Sequence, residues 1–79
     1  MDDFRKMLGT NLRKARHRQG LTQEEVAASI DIPTEVYGRM EQGSMVPRLE
    51  LFVTLCGRLD ATSDQLLGFA PFRPTEGDG

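Results

Sequence analysis

Gly20-Leu21-Thr22-Gln23-Glu24-Glu25-Val26-Ala27-Ala28-Ser29-Ile30-Asp31-Ile32-Pro33-Thr34-Glu35-Val36-Tyr37-Gly38-Arg39-Met40-Glu41-Gln42-Gly43 is the stretch on which the fold of this chain turns. Thr22 followed by Glu25 forms a capping box, in which each side chain satisfies the other residue's backbone N–H. A helix therefore opens there, with Val26, Ala27 and Ile30 on its inner face. Asp31 to Pro33 make a tight turn. A second helix, about Thr34 to Gln42, follows with Tyr37 and Met40 inward. Gly20 and Gly43 stand where the flanking helices need a left-handed residue to stop.

Working outward, the same periodicity continues. Leu8, Leu12 and Ala15 fall at i, i+4 and i+7, which predicts a first helix from about Asp3 to Gln19. Downstream, a fourth helix starts near Pro47 or Arg48, with Phe52, Leu55, Cys56 and Leu59 as its stripe. A short fifth helix, about Ser63 to Leu67, is capped by Thr62 or Ser63 and turns Leu66 and Leu67 inward. Period-two alternation is missing and β-branched residues are sparse, so the fold class is all-α with five helices. Pro71 to Gly79 hold two prolines, two glycines and two acids. The expected organisation is one domain over 1–70 and a flexible tail over 71–79.

Seventy-nine residues are enough for one domain. The single cysteine permits no internal disulfide, and the clustered Cys/His ligands of a zinc site are missing. A lone thiol suits a reducing cytoplasm. Met1-Asp2-Asp3 has no signal-peptide character, and the apolar runs are too short to span a membrane. The net charge is −2, yet the bases are concentrated: Arg5, Lys6, Arg13, Lys14, Arg16 and Arg18, with His17, lie in a stretch without acids. Local field, rather than the sum, governs attraction to a polyanion. One His and one Cys on different faces do not make a nucleophile–base pair. No enzyme activity, metal site or cofactor is expected.

From Gln23 to Gln42 the apolar positions Val26, Ile30, Ile32, Tyr37 and Met40 have helix-turn-helix spacing. Ala27 is the small residue where the two helices cross, and the second helix is the one that enters a major groove. Over about residues 8–67 the chain resembles the Cro/C1-type (XRE-type) helix-turn-helix family. Leu8-Gly9, Leu12-Arg13, Arg16, Gly20 to Ala27, Arg39 to Gly43, Pro47, Leu55, Leu59 and Leu66-Leu67 carry the resemblance. It implies a compact five-helix, lambda-repressor-like domain that regulates transcription by binding an inverted repeat in double-stranded DNA as a homodimer. Three positions depart from the family pattern. Asp31 replaces the usual turn Gly, and Asp tolerates a left-handed backbone. Pro33 replaces the usual Ser or Thr cap, a role that Thr34 can take over. Gly38 replaces a usual Ser on the DNA-facing side.

By position in that family, Thr34, Glu35 and Arg39 are the base readers, and Gln23, Gln42, Arg48 and Arg13 touch phosphate. Arg39 has the fork geometry for guanine O6 and N7; its alternatives are a phosphate contact or an i, i+4 pair with Glu35. Glu35 can accept from cytosine N4 or repel phosphate. The second possibility leaves an alternative in which the module binds a protein partner, as an antagonist of another regulator, without specific DNA binding. Arg16 follows Leu12 by four and Glu41 follows Tyr37 by four, so opposite charges on facing stripes are expected to form a structural ion pair. Leu66, Leu67, Phe69 and Phe72 cluster near the end of the domain. They are expected to form the dimer contacts, unless the two phenylalanines fold back on their own core.

Overall fold

The computed structural model describes residues 2–72 and contains five helices and no strand among them: α1 (Asp2–Arg18), α2 (Gln23–Ser29), α3 (Thr34–Gln42), α4 (Leu49–Arg58) and α5 (Ser63–Leu66). α1 packs on α3 and α5, α2 packs on α3, and α4 packs on α5. Leu8, Leu12, Ala15, Val26, Ala27, Tyr37, Met40, Phe52, Leu55, Leu59, Ala61 and Leu66 form one core. Cys56 lies half-buried at its edge, where burial pushes its thiol pKa up. Among the described residues, no helix is long and apolar enough to cross a membrane.

Every helix ends in the same way. A left-handed residue follows it (Gly20, Asp31, Gly43, Asp60 or Gly68). The next N–H then reaches back to the carbonyl five residues earlier, from Leu21 to Arg16, Ile32 to Ala27, Ser44 to Arg39, Ala61 to Cys56 and Phe69 to Asp64. This bond satisfies a carbonyl that the helix itself leaves free and turns the chain back onto the core. Asp31 at φ 62° confirms that the turn keeps its left-handed geometry without glycine.

The structure corrects the starts of α3 and α4 and decides the cap of α5. Pro33, with extended backbone, is the N-cap of α3 and makes no side-chain cap, so Thr34 is the first helical residue rather than the cap. Pro47 precedes the N-cap Arg48 instead of opening α4. Thr62, not Ser63, caps α5, and Gln65 completes a second capping box.

α1 and α3 come into direct backbone contact. A Cβ on the buried Gly9 would fall 2.7 Å from the Met40 carbonyl oxygen and closer still to that of Glu41. Two backbones therefore touch there with no side chain between them. Near the other end of the contact, Gly43 (φ 82°) lies against the Lys6 backbone, 3.2 Å from where its own Cβ would stand. Asn11, on the same buried side of α1, donates to the Leu66 carbonyl at 3.1 Å and fixes α5 against α1. The chain just after α5 is tied back to the domain. Gln65 donates to the Pro71 carbonyl at 3.4 Å, and Arg18 covers the Phe72 ring at 5.0 Å. Residues 73–79 lie outside the described residues.

These contacts set opposite expectations for two glycines. Gly9→Ala must push α1 and α3 apart and should lower unfolding free energy by about 2–3 kcal/mol. Gly57, exposed on α4 with nothing within 4 Å of a built Cβ, should gain about 0.5–1 kcal/mol as Gly57→Ala. Urea unfolding of both variants checks the pair; a neutral Gly9→Ala would mean that the helices are not in backbone contact.

Candidate nucleic-acid interface

The interface is built on a buried carboxylate. Glu41 projects from the last turn of α3 between α1 and α2, and its side chain is only 3% exposed. Arg16 of α1 grips it with two parallel bonds, Nε to Oε2 at 2.7 Å and Nη2 to Oε1 at 2.9 Å. Arg16 also donates to the Leu21 carbonyl at 2.9 Å, which ties in the chain just before α2. Gln23, the first residue of α2, donates its side-chain N–H to Glu41 Oε1 at 2.9 Å. The expected ion pair is thus present and bidentate, the strong form of a charge-assisted bond.

Burial works to raise the Glu41 pKa, but the bonds from Arg16 and Gln23, with the nearby Tyr37 hydroxyl, outweigh it and hold the carboxyl below its usual range. Glu41 in turn raises the Arg16 pKa. Tyr37, beside this pair, is completely buried, and its hydroxyl has no hydrogen-bond partner at bonding geometry. Burial first, then the nearby Glu41 carboxylate, holds its pKa far above the ordinary tyrosine value.

With α3 fixed on one side, its other side is free. Thr34, Glu35, Arg39 and Gln42 are all exposed and share the stripe opposite Met40 and Tyr37. Among the described residues, none of their side chains enters a hydrogen bond or ion pair with the rest of the protein. The intrahelical Glu35–Arg39 pair does not form. Arg48, at the N-cap of α4, and Arg13, four residues after Gly9 on α1, are likewise exposed and unengaged. Thr22 and Glu25 make the expected capping box, at 3.0 and 2.8 Å.

One expected position differs. Gly38 is buried rather than open, because the Gln23 side chain crosses it; a Cβ there would lie 3.5 Å from Gln23 Oε1. Gln23 itself is half-buried and engaged with Glu41.

The apolar end of the domain also differs from expectation. Leu66 has no exposed surface, because it packs in the core between α1 and α4, and so cannot be a dimer contact. Phe72 folds back under Arg18. Phe69 is 80% exposed. Leu67 lines an apolar groove of about 260 Å³ with Phe4, Leu8, Val46, Pro47, Leu49 and Phe52. Leu49 and Val53, one turn apart on α4, are exposed near it. Sequence reasoning missed Gly9 as the helix contact, Asn11 as the α1–α5 tie and the Gln23–Glu41 bond. Asn11 did carry a signal, a polar residue inside the Leu8–Leu12 stripe.

The helix-turn-helix domain family matches residues 7–67. Comparison with curated proteins and with solved structures returns no match.

The ion pair makes stability depend on pH in a defined sense. The folded Glu41 carboxyl is below its unfolded value, so its contribution is complete above about pH 4.5, the ordinary value, and is lost as pH falls through the folded pKa. Arg16→Met strands that carboxylate and should lose about 3 kcal/mol at pH 7. With Arg16 gone, the largest effect opposing burial is lost and the Glu41 pKa moves up even though Gln23 still donates to it, so the variant should regain part of the difference in acid. Urea unfolding at both pH values checks this; a loss under about 0.5 kcal/mol at pH 7 would place the pair in solvent.

Proposed function

From the premise that the chain belongs to the helix-turn-helix domain family, we propose that it is a sequence-specific transcriptional regulator of the Cro/C1 type, binding an inverted-repeat operator in double-stranded DNA as a homodimer. The single observation that carries this reading is the outward stripe of α3: Thr34, Glu35, Arg39 and Gln42, exposed, unpaired and mounted on a helix whose back is locked. A helix so mounted fits the major groove, where polar side chains read base edges. Arg39 reads guanine, Thr34 and Glu35 read neighbouring bases, and Gln42, Arg48, Arg13 and Gln23 hold phosphates. Phosphate contacts fix register while base contacts carry sequence. The lone Cys56 thiol suits the reducing cytoplasm in which such a regulator acts.

Two-fold symmetry requires one self-complementary patch on each copy. The apolar groove, lined in part by half-buried Leu67 and by the exposed Leu49 and Val46, offers one together with the exposed Phe69, and in this reading it replaces the surface expected around Leu66 and Phe72. Exposed apolar groups this close together are unusual on a monomer.

Selection of bound sites from random duplexes, followed by titration of the selected duplex and a scrambled one at several salt concentrations, tests the reading. Enrichment of an inverted repeat with half-sites about one helical turn apart, two chains per duplex, is the expected result. Phe69→Glu should abolish the cooperativity of the second chain. Arg39→Ala should lose about 1–3 kcal/mol on the selected site and relax one base pair per half-site. Arg48→Ala should weaken both duplexes by one factor and reduce the salt slope by about one ion per subunit. Equal losses on both duplexes from Arg39→Ala would remove it as a base reader. No enrichment at all would favour a protein partner instead.

A further inference from the structure

We propose that Glu41, through Gln23, is a positioning residue for DNA binding. The inference rests on the DNA-binding reading above. Glu41 Oε1 accepts from Arg16 and from Gln23 Nε2, each at 2.9 Å. A carboxylate has no hydrogen to give, so it fixes which end of the Gln23 amide faces it. The nitrogen must point at Glu41, and Oε1 must lie on the other side, over Gly38. One of the two Nε2 hydrogens is used by Glu41. The second is left for a phosphate oxygen, on a side chain already held in one rotamer. Such preorganisation removes part of the ordering entropy that binding otherwise demands.

Gly38 lies beneath this side chain. It sits inside α3, where glycine lowers helix stability by about 1 kcal/mol relative to alanine. Yet it is buried, and what covers it is the Gln23 side chain. A branched side chain at 38 would occupy the space across which Gln23 lies. The buried Arg16–Glu41 pair therefore does more than brace α3 against α1: the same carboxylate orients a group at the DNA-facing end of α2.

The test uses the whole chain and a mixed-sequence duplex of about three helical turns at low salt, read by fluorescence anisotropy. Gln23→Ala should weaken binding about three- to tenfold, the worth of one hydrogen bond. Glu41→Gln, whose amide can accept or donate and so no longer fixes the flip, should weaken it by a similar factor, and the double variant should lose no more than either alone. If Glu41→Gln does not fold, Gly38→Val carries the test, because it displaces Gln23 without touching Arg16. It should match Gln23→Ala and add nothing to it. Gly38→Ala, in ordinary contact with Gln23, should bind as the wild type does. In the free protein, one Gln23 side-chain amide proton should be shifted downfield and protected from exchange relative to a solvent-exposed glutamine, and should lose both features in Glu41→Gln. Losses that multiply in the double variants, or an unshifted and unprotected Gln23 amide in the wild type, would overturn the inference. A wild type that binds no duplex would overturn the DNA-binding reading and this inference with it, while leaving the shifted, protected amide proton in place.

Discussion

Two features hold α1 and α3 together, the backbone contact at Gly9 and the carboxylate of Glu41, and each depends on the other. The contact at Gly9 brings the helices close enough for Arg16 to reach Glu41 with both arms of its guanidinium. The ion pair in turn fixes the rotation of α3 about its own axis, which apolar contacts alone leave soft. A buried ion pair contributes little net stability against an apolar replacement, but removing one partner strands the other. What the pair supplies is direction: it decides which residues of α3 face inward. Tyr37 and Met40 then go to the core, and Thr34, Glu35, Arg39 and Gln42 are left outside.

A domain of this size has little core to spare, and the helix ends make up for it. Each left-handed terminus satisfies a carbonyl and turns the chain back at once, so the connections stay short. Asn11 spans α1 to α5 with one buried bond, and Arg18 reaches both the Asp60 carbonyl and the Phe72 ring. The result is a rigid back and an open front. Long polar side chains that could have paired with one another on the surface of α3 instead remain free for a partner.

Much of this was legible in the residues. Apolar periodicity gave the five helices, Thr22 with Glu25 marked the start of α2, and the positions of Arg16 and Glu41 on facing stripes announced their pairing. The structure changed what depends on three-dimensional proximity. Leu66 looked equally fit for core or partner until α1 and α4 closed over it. Gly38 looked like an open position on α3 because nothing local says that a glutamine from the preceding helix lies across it. Gly9 is one glycine among eight in the sequence, and only the helix crossing distinguishes it from Gly57. Pro33 broke the usual cap, and no pattern of side chains alone shows that its extended backbone would serve as the terminus instead.

The central claim is that the locked back of α3 presents its outer face to the major groove. A nitroxide attached to the major-groove edge of a thymine, in a duplex carrying the selected site, tests this by paramagnetic broadening of the protein's backbone amide signals. The account predicts that broadening is strongest at Thr34, Glu35, Gly38 and Arg39 and falls away toward α5. Broadening centred on α4 and the groove around Leu49, with α3 unaffected, would contradict it.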